Sequence, residues 1–337
     1  MMRLGVIGCG HWGINHIRVF SQLSMGRVIL CADKEASRRK LVRQLYPSIS
    51  VIPDHRRLLN HRQLEAVIVA TPTSTHFEIV KECLTAGKHV LCEKPLAASL
   101  SEAEQLVELA HRKNRVLFVG HTFLFNLGIQ RLHDYIRKGT LGRLRYIRSL
   151  RTNLGPIRKD VNVVWDLASH DISILSYLLE ENPVELTAQG ATFLQRGLED
   201  IAIITLTYPR NIIANVQVSW LDPRKVREIT VVGSKKMAIW DDLNPVEPIR
   251  LYDKGVLRER NYTTFGEFHF LSRDGDVLIP KVRLVEPLQV QAEAFLESLV
   301  NGRQAISDGQ TGLRVVRILE CIQTSIRKKG VPVKVSP

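Results

Sequence analysis

The sequence predicts an α/β domain with a doubly wound parallel sheet, followed by an α+β domain with a large, mainly antiparallel open sheet. Over residues 1–120, short apolar, β-branched runs alternate with amphipathic segments of helical length, the pattern of buried parallel strands with helices on both faces. After about residue 143, alternating apolar and polar runs are separated by turn residues, as in antiparallel sheets. The chain of 337 residues is long enough for two domains, which we place at residues 1–120 and 121–337.

The elements of the first domain follow in order from its apolar runs. These runs predict strands at residues 3–7, 27–32, 66–70, 88–92 and 115–119. The segment Ser99-Leu100-Ser101-Glu102 has the spacing that opens a helix. Gly87 predicts the end of the preceding helix.

The second domain is predicted from runs with a period of two. Such runs occur at residues 143–152, 184–194, 200–208, 211–220, 226–233 and 236–240. Amphipathic segments predict helices at residues 126–138 (ended by Gly139), 164–180, 287–300 and 310–328. The charged, Gly-containing segment 253–285 is typical of irregular strands or a long loop.

The beginning of the chain carries a dinucleotide-binding pattern. The first predicted strand runs into Gly8-Cys9-Gly10-His11-Trp12-Gly13, an amphipathic segment follows, and Asp33 lies twenty positions past Gly13. In this pattern Gly8 permits a tight turn, Gly10 lets the backbone approach a pyrophosphate, and Gly13 lets the helix pack close to the strand. The free N–H groups at the start of the helix then face the phosphates. We therefore expect a Rossmann domain with a cofactor site that includes His11 and Trp12; the alternative is a structural turn.

Asp33 at the end of the second predicted strand favours NAD over NADP. A carboxylate there accepts hydrogen bonds from the ribose hydroxyls and repels a 2′-phosphate. Arg38 and Arg39 follow closely and could accommodate such a phosphate, but their place in a predicted helix favours a solvated face.

Two further turns at strand ends are expected to line the ligand crevice, because ligands bind at the carboxyl ends of parallel strands. The first, Ala70 to His76, contributes Thr71 and Pro72 to the cofactor wall. Two roles are open for His76: a neighbour of the cofactor, or a residue that forms hydrogen bonds at the start of a helix. In the second turn, Glu93-Lys94-Pro95 places a positive charge beside a reacting oxygen; the alternative for Lys94 is a surface salt bridge.

In the second domain, Asp166 and His170 are four residues apart at a predicted helix, so both side chains lie on one face. A carboxylate beside an imidazole can orient it as a general acid or base near neutral pH. Taken alone, the pair also fits a salt bridge at a helix start, and Asp171 fits an acidic residue in a first helical turn.

These motifs together resemble the Gfo/Idh/MocA oxidoreductase family over essentially the whole chain. The glycine turn, the T-P-x-x-x-H turn, Glu93-Lys94-Pro95 and Asp166-x-x-x-His170 occur in that order and at similar separations. Residues 120–126 and 161–172 resemble the branch that acts on nucleotide-linked sugars or their acids. Many sugar and inositol dehydrogenases carry three glycines before this aspartate, where the present chain has Val and Asn.

The resemblance implies roles for individual residues. His170 would be the acid/base, Asp166 would orient it, and Lys94 would hydrogen-bond the reacting oxygen. Glu93 and Lys94 would also adjoin the cofactor. Arg151 and Asn153, and with them Arg158, could contact an anionic or hydroxyl-rich substrate, or lie on the surface. No metal is required, and the sequence offers no metal-ligand cluster.

We therefore expect an NAD-dependent oxidoreductase that transfers hydride between nicotinamide and a sugar hydroxyl or ketone. The expected substrate is a nucleotide-linked sugar for surface-polysaccharide synthesis. A free sugar or inositol dehydrogenase is the alternative within the family. A non-catalytic dinucleotide-binding regulator is the alternative of another class. The presence of Lys94, Asp166 and His170 together argues against a regulator.

Charge and composition limit the kinds of partner and the cellular compartment that we expect. The net charge of +13 comes from scattered basic residues without a nucleic-acid-binding motif, which favours a small anionic substrate. No apolar run approaches the roughly 18 residues of a membrane span, and a first strand at residue 3 leaves no room for a secretory signal. The five cysteines show no paired spacing, as expected of free thiols in the cytoplasm.

The predicted strands at residues 200–208 and 211–220 carry apolar residues that we expect on both faces of the sheet. Helices can cover one face, and the other would bury against a second subunit. We therefore expect a homodimer or homotetramer formed through this sheet.

Overall fold

The structure is a computed structural model that describes residues 1–155, 157–158, 160–258, 270–302 and 305–336. Within it, the chain divides into two compact units. The first contains Met1–Asn126, Arg158–Val161 and Val285–Glu320, and the second contains Leu127–Ile157, Asn162–Leu284 and Cys321–Pro337. The segment 285–320 thus groups with the N-terminal residues, while the predicted domains 1–120 and 121–337 stay a prediction.

The first unit is built on a six-stranded sheet in which the strand pairs are parallel. Its strands are β1 (Met2–Ile7), β2 (Gly26–Ala32), β3 (Ser50–Ile52), β4 (Ala66–Val69), β5 (His89–Cys92) and β6 (Leu117–Val119), in the order β3-β2-β1-β4-β5-β6. The carboxyl ends align, because Ile7 pairs with both Ala32 and Val69, and Cys92 pairs with both Val69 and Val119. This alignment confirms the doubly wound parallel sheet and brings the turns after these strands to one edge.

Helices connect these strands, as the alternating pattern predicts. They are α1 (His11–Gln22), α2 (Ala36–Leu45), α3 (His55–Leu59), α4 (His76–Thr85) and α5 (Leu100–Arg112). The hydroxyl of Ser99 accepts a hydrogen bond from the Glu102 N–H, so the predicted cap opens α5. Gly87 has φ +73° just after α4, a conformation that favours glycine.

The strands of the first unit are apolar because they lie in the core. All four residues of β4 are buried, as are Leu4, Val6 and Ile7 of β1. Strands covered on both faces by helices need continuous apolar runs, which explains why these segments could be recognised in the sequence.

The second unit is built on a nine-stranded mixed sheet. Its elements begin with α6 (Leu127–Arg137), β7 (Leu144–Thr152), α7 (Ser169–Leu179), β8 (Glu185–Ala191), β9 (Ile201–Tyr208), β10 (Ile212–Ser219), β11 (Val226–Gly233), β12 (Met237–Asp241) and β13 (Ile249–Tyr252). After β13 the chain continues with β14 (Gly255–Arg258), β15 (Phe270–Arg273), β16 (Val277–Leu278), α8 (Pro287–Asn301), α9 (Gly309–Arg327) and β17 (Val333–Lys334). Of these, α8 and most of α9 belong to the first unit.

The order of the large sheet is β16-β13-β12-β11-β7-β10-β9-β8-β17. The pair β7–β10 is parallel, and the other described neighbours are antiparallel. The prediction of a large, mainly antiparallel open sheet is confirmed.

The two faces of the large sheet differ in polarity. Along β10, Ile212, Ala214, Val216 and Val218 share the buried face. The opposite face is mixed, since it carries the exposed apolar residues Tyr146, Ile203 and Ile213 together with the polar residues Arg148, Asn215 and Gln217. Because side chains alternate along a strand, the apolar residues of the open face form a smaller set than the sequence suggested.

The segment 253–285 contains short strands. β14 pairs with β15, and β16 pairs with β13 at the edge of the large sheet. Residues 259–269 of this segment lie outside the described residues. Within the described ranges, no helix is both long and apolar enough to cross a membrane.

Candidate functional site

The glycine turn of the first unit adopts a geometry that side chains would prevent. Gly8 has φ +89°, and a Cβ there would lie 2.5 Å from the carbonyl oxygen of Ala70. A Cβ on Gly13 would lie 1.9 Å from the carbonyl oxygen of Gly8. The start of α1 therefore sits directly on the turn after β1, which is the arrangement that presents helix N–H groups to a pyrophosphate.

Gly10 is the N-cap of α1, and His11 and Trp12 are the first residues of the helix. Both side chains are exposed, and their rings form an edge-to-face contact with centroids 5.5 Å apart. The cap has no side-chain hydrogen bond, so the first N–H groups of the helix are offered to a ligand.

Asp33 is bound to the glycine turn. Its carboxylate accepts hydrogen bonds from the backbone N–H groups of Cys9 at 2.7 Å and Glu35 at 2.8 Å, and it is almost fully buried. The end of β2 is thereby fixed against the turn after β1, with the carboxylate at the position expected to meet a ribose.

The arginines after Asp33 have specific contacts. The guanidinium of Arg38 lies 3.7 Å from the Asp33 carboxylate and 3.1 Å from that of Glu35, and its Nη1 is 3.4 Å from the place where a Cβ on Gly10 would stand. Arg39 donates hydrogen bonds to the backbone carbonyls of Asp33 and Lys34. Arg38 thus faces the glycine turn and Arg39 braces the end of β2, where the sequence suggested a solvated face for both.

A cavity of about 290 Å³ lies beside this turn. Its walls include Gly8, Asp33, Arg38, Thr71 and Pro72. These residues fit the adenosine end of a dinucleotide, because a carboxylate for the ribose and a glycine turn for the phosphates lie in one concave site.

His76 is buried beneath the turns that follow β4 and β5. Its Nδ1 lies 2.7 Å from the carbonyl oxygen of Pro95, and its Nε2 lies 3.0 Å from that of Thr71. Burial lowers the pKa of this imidazole. His76 thus forms hydrogen bonds at the start of a helix, which was one of its two expected roles. Its contact with a cofactor stays a prediction.

Glu93 and Lys94 follow β5 at the same edge. The carboxylate of Glu93 is buried and bonded to His16 Nε2 at 2.8 Å through Oε1. Its Oε2 accepts the Lys94 backbone N–H at 3.2 Å. Burial opposes the ionised form, but the hydrogen bond and charge of His16, with the charge of Lys94, keep the pKa of Glu93 below its usual value. Glu93 therefore holds the backbone that carries Lys94.

His121 follows β6 and is fully buried in the same unit. Burial and the charge of Lys94 lower its pKa to about 3, so its imidazole is neutral at physiological pH. Within the described residues, neither ring nitrogen has a hydrogen-bond partner. This residue was assigned no role from the sequence. Its place after a parallel strand, at the edge where ligands bind, is the signal that could have found it.

In the second unit, Asp166 lies in a π-helical turn, Val164–Ala168, that leads into α7. The predicted helix at residues 164–180 is thus divided into two types of helix. Its first turn is fixed by Asn162, whose side-chain oxygen accepts the Trp165 N–H. Single π-helical turns are frequent at functional sites.

Trp220 forms a hydrogen bond with Asp166. Its indole Nε1–H donates to the Asp166 carboxylate at 3.3 Å, from just beyond the end of β10, and its side chain is only 1% exposed. The spacing of 54 residues between donor and acceptor gives no local signal in the sequence, so this contact could not be predicted.

Arg151 lies in a buried ion pair. Its Nε donates to Asp171 Oδ2 at 2.8 Å, and Ser149 donates to Asp171 Oδ1 at 2.8 Å. Removing one partner of such a pair costs roughly 3–5 kcal/mol, because the other charge is left uncompensated. The pair anchors the first turn of α7, which carries His170. The expected contact of Arg151 with substrate stays a prediction.

Asn153 and Arg158 differ in exposure and in partners. Asn153 is half-buried, and its backbone N–H donates to Ser219. Arg158 bonds to Asp160 at 2.9 and 2.6 Å, which lowers the pKa of that carboxylate. In the described ranges, no group of three or more His, Cys, Asp or Glu side chains could hold a metal ion.

Comparison with known proteins identifies the class. A family model described as the oxidoreductase family with an NAD-binding Rossmann fold matches residues 2–121. The model of the GFO/IDH/MocA C-terminal domain matches residues 129–239. The chain belongs to the Gfo/Idh/MocA oxidoreductase family, and its first unit is an NAD-binding Rossmann domain.

Several relatives span nearly the whole chain. UDP-N-acetylglucosamine 3-dehydrogenase of Acidithiobacillus ferrooxidans is 27% identical over 326 residues, which cover 94% of each protein. Its solved structure has a TM-score of 0.81 and covers 97% of this chain and 98% of that one, at 26% identity. Myo-inositol 2-dehydrogenase of Thermotoga maritima is 23% identical over 342 residues, which cover 97% of each protein.

The position of Asp33 predicts the effect of removing its charge. Asp33→Asn keeps an oxygen that can accept the Cys9 N–H but removes the repulsion of a 2′-phosphate. We expect the dissociation constant of NADP, divided by that of NAD, to fall by roughly tenfold or more, which corresponds to about 1.4 kcal/mol. Calorimetric titration with each dinucleotide measures this ratio.

The matched control is Glu35→Ser, which removes an exposed carboxylate that also faces Arg38. Its effect on the ratio should be smaller. Equal shifts in the two variants would show that Arg38, rather than Asp33, sets the preference.

Proposed function

We propose that this NAD-binding oxidoreductase transfers hydride between nicotinamide and a hydroxyl-bearing carbon of a nucleotide-linked sugar. The observation that carries the proposal is the position of Lys94. Lys94 follows strand β5. The neighbouring strand, β4, is followed by the turn Thr71-Pro72, which lines the dinucleotide cavity. A cation at that edge is suited to an oxygen that gains negative charge during hydride transfer.

The proposed chemistry assigns each residue one task. When bound, NAD supplies the hydride acceptor. The ammonium of Lys94 donates a hydrogen bond to the reacting oxygen and stabilises its negative charge. The imidazole of His170 takes the hydroxyl proton in oxidation and returns it in reduction, and Asp166 orients that imidazole. Trp220 in turn orients Asp166 through its indole N–H.

The nucleotide-linked substrate is supported by three observations. A relative that spans 94% of this chain is a UDP-N-acetylglucosamine 3-dehydrogenase. The three glycines that many free-polyol dehydrogenases carry before the aspartate are replaced by residues that include Asn162 and Val163. The net charge of +13 suits a diphosphate.

A free sugar or inositol dehydrogenase is the second candidate, favoured by the similarity to myo-inositol 2-dehydrogenase. A non-catalytic regulator is the third candidate. It is disfavoured because a regulator has no chemical need for Lys94, Asp166 and His170 together.

A substrate screen tests the proposal. The protein is incubated with NAD or NADP and a panel of UDP-linked and other nucleotide-linked sugars, free N-acetylglucosamine and myo-inositol, and the reduced-nicotinamide absorbance is followed. We expect turnover of a nucleotide-linked sugar with NAD. Turnover of only free sugar or inositol would favour the second candidate, and NAD binding without any turnover would favour the regulator.

In the same assay, Lys94→Ala and His170→Ala are expected to lower kcat by roughly 10²–10⁴-fold, the usual contribution of a positioned acid, base or charge. The exposed His61 provides a control, and His61→Ala should leave kcat unchanged. Wild-type turnover in either active-site variant would contradict the assigned roles.

We infer that the working compartment is the cytoplasm. Cys9, Cys31, Cys83 and Cys92 are free and buried, and Cys321 is free and partly buried. Free thiols persist in a reducing compartment.

We also propose that two copies of the chain associate through the open face of the large sheet, as a homodimer or as part of a homotetramer. Ile213 is 44% exposed on the central strand β10 and pairs with Tyr146 of β7, which is also exposed. Ile203 of the neighbouring β9 adds to the same face. Burial of these side chains against a second copy would remove them from water.

Light scattering after size-exclusion chromatography tests the association. The wild type should have the mass of a dimer or tetramer. Ile213→Asp should weaken the association at least tenfold, because a charge would be buried without a partner. Val246→Asp, at an exposed apolar position of a loop, is the control and should leave the mass unchanged. A monomeric wild type at micromolar concentration would contradict the proposal.

A further inference from the structure

The imidazole of His76 connects two turns at the carboxyl edge of the parallel sheet. Val69 of β4 pairs with Cys92 of β5, so the turns after these strands begin side by side. His76 lies between them, with Nδ1 2.7 Å from the Pro95 carbonyl oxygen and Nε2 3.0 Å from the Thr71 carbonyl oxygen. The side chain is 1% exposed, so the protein itself supplies these polar neighbours.

The two carbonyls belong to functionally different turns. Thr71 lines the dinucleotide cavity, and Pro95 directly follows Lys94. Proline has no N–H, so its carbonyl is the polar backbone group through which Pro95 can be anchored. On the preceding side, the Lys94 N–H is bonded to Glu93, whose carboxylate is bonded in turn to His16. The backbone of Lys94 is therefore held on both sides.

The protonation of the ring follows from its neighbours. Both are acceptors, and a neutral imidazole has one N–H to donate. Burial lowers the pKa of His76, against the opposing effect of the Pro95 and Thr71 carbonyls, which favours the neutral ring. The shorter contact is that of Nδ1 with Pro95, so we assign the single N–H of the neutral ring to Nδ1, with the Pro95 carbonyl as its acceptor.

We propose that His76 is a positioning residue for Lys94, and that its Nδ1–H fixes the Pro95 carbonyl and thereby the direction in which the Lys94 side chain leaves the sheet. The inference rests on the proposed catalytic role of Lys94. It gives His76 a role distinct from cofactor contact, because the buried ring acts through the backbone of Pro95.

Three variants separate the two ring nitrogens. In His76→Asn, the amide nitrogen occupies the approximate position of Nδ1, and in His76→Gln it occupies that of Nε2. His76→Leu removes both. We expect His76→Leu to lower kcat tenfold or more, since small displacements of a reacting group have such effects. His76→Asn should recover at least threefold more kcat than His76→Gln.

The dissociation constant of NAD, measured by calorimetry, should stay within threefold of wild type in all three variants. The exposed His61 gives a matched control, because His61→Asn loses an imidazole outside the site. Equal kcat in the Asn and Gln variants would overturn the proposal. A tenfold weaker NAD affinity with unchanged kcat at saturation would instead make His76 a cofactor-binding residue.

A readout without catalysis is provided by nitrogen NMR of the wild-type protein labelled with ¹⁵N-histidine, with the His76 signals assigned from their absence in His76→Asn. A protonated Nδ1 is expected, and an unprotonated Nδ1 would overturn the proposal even where the Leu variant fails to fold. If the wild type turns over no sugar, the proposed function fails, whereas the state of Nδ1 still decides the hydrogen bond to Pro95.

Discussion

The close approach of Gly13 to Gly8 is the constraint on which the cofactor site depends. A Cβ on Gly13 would lie 1.9 Å from the Gly8 carbonyl oxygen, and Gly8 itself has φ +89°, so α1 can begin directly on the turn only if both residues are glycine. The same turn is tied to β2, since the Cys9 N–H donates to Asp33. One backbone arrangement therefore places Gly8 of the turn, for phosphate, and the Asp33 carboxylate, for ribose, in the walls of the same cavity.

Buried polar groups also hold the backbone at the carboxyl edge of the parallel sheet. His76 contacts the carbonyls of the turns after β4 and β5, and Glu93 holds the Lys94 N–H while bonded to His16. In the second unit, the buried pair of Arg151 and Asp171 has the corresponding place at the start of α7. Side chains that react must be held by others that do not, and the supporting groups here are polar and buried.

The sequence predicted what local chemistry determines. Continuous apolar runs marked the parallel strands, and Ser99 and Gly87 marked helix boundaries, because each signal lies within a few residues of its effect. Contacts between distant residues were missed. Trp220 reaches Asp166 across 54 residues, and the buried role of Arg151 depends on the register of β7 with its neighbours. The turn Glu93-Lys94-Pro95 was recognised by its motif, whereas the groups that hold it were not.

Calorimetric titration of Gly13→Ala with NAD tests whether the cofactor site depends on the close approach of Gly13 to Gly8, with Gly139→Ala as the control. Gly139 belongs to the second unit, and a Cβ there would meet no atom within 4 Å. We expect the wild type and Gly139→Ala to bind NAD with similar affinity. Gly13→Ala, with its folding verified by circular dichroism, should bind NAD at least tenfold more weakly. A folded Gly13→Ala variant with wild-type affinity for NAD would contradict this dependence.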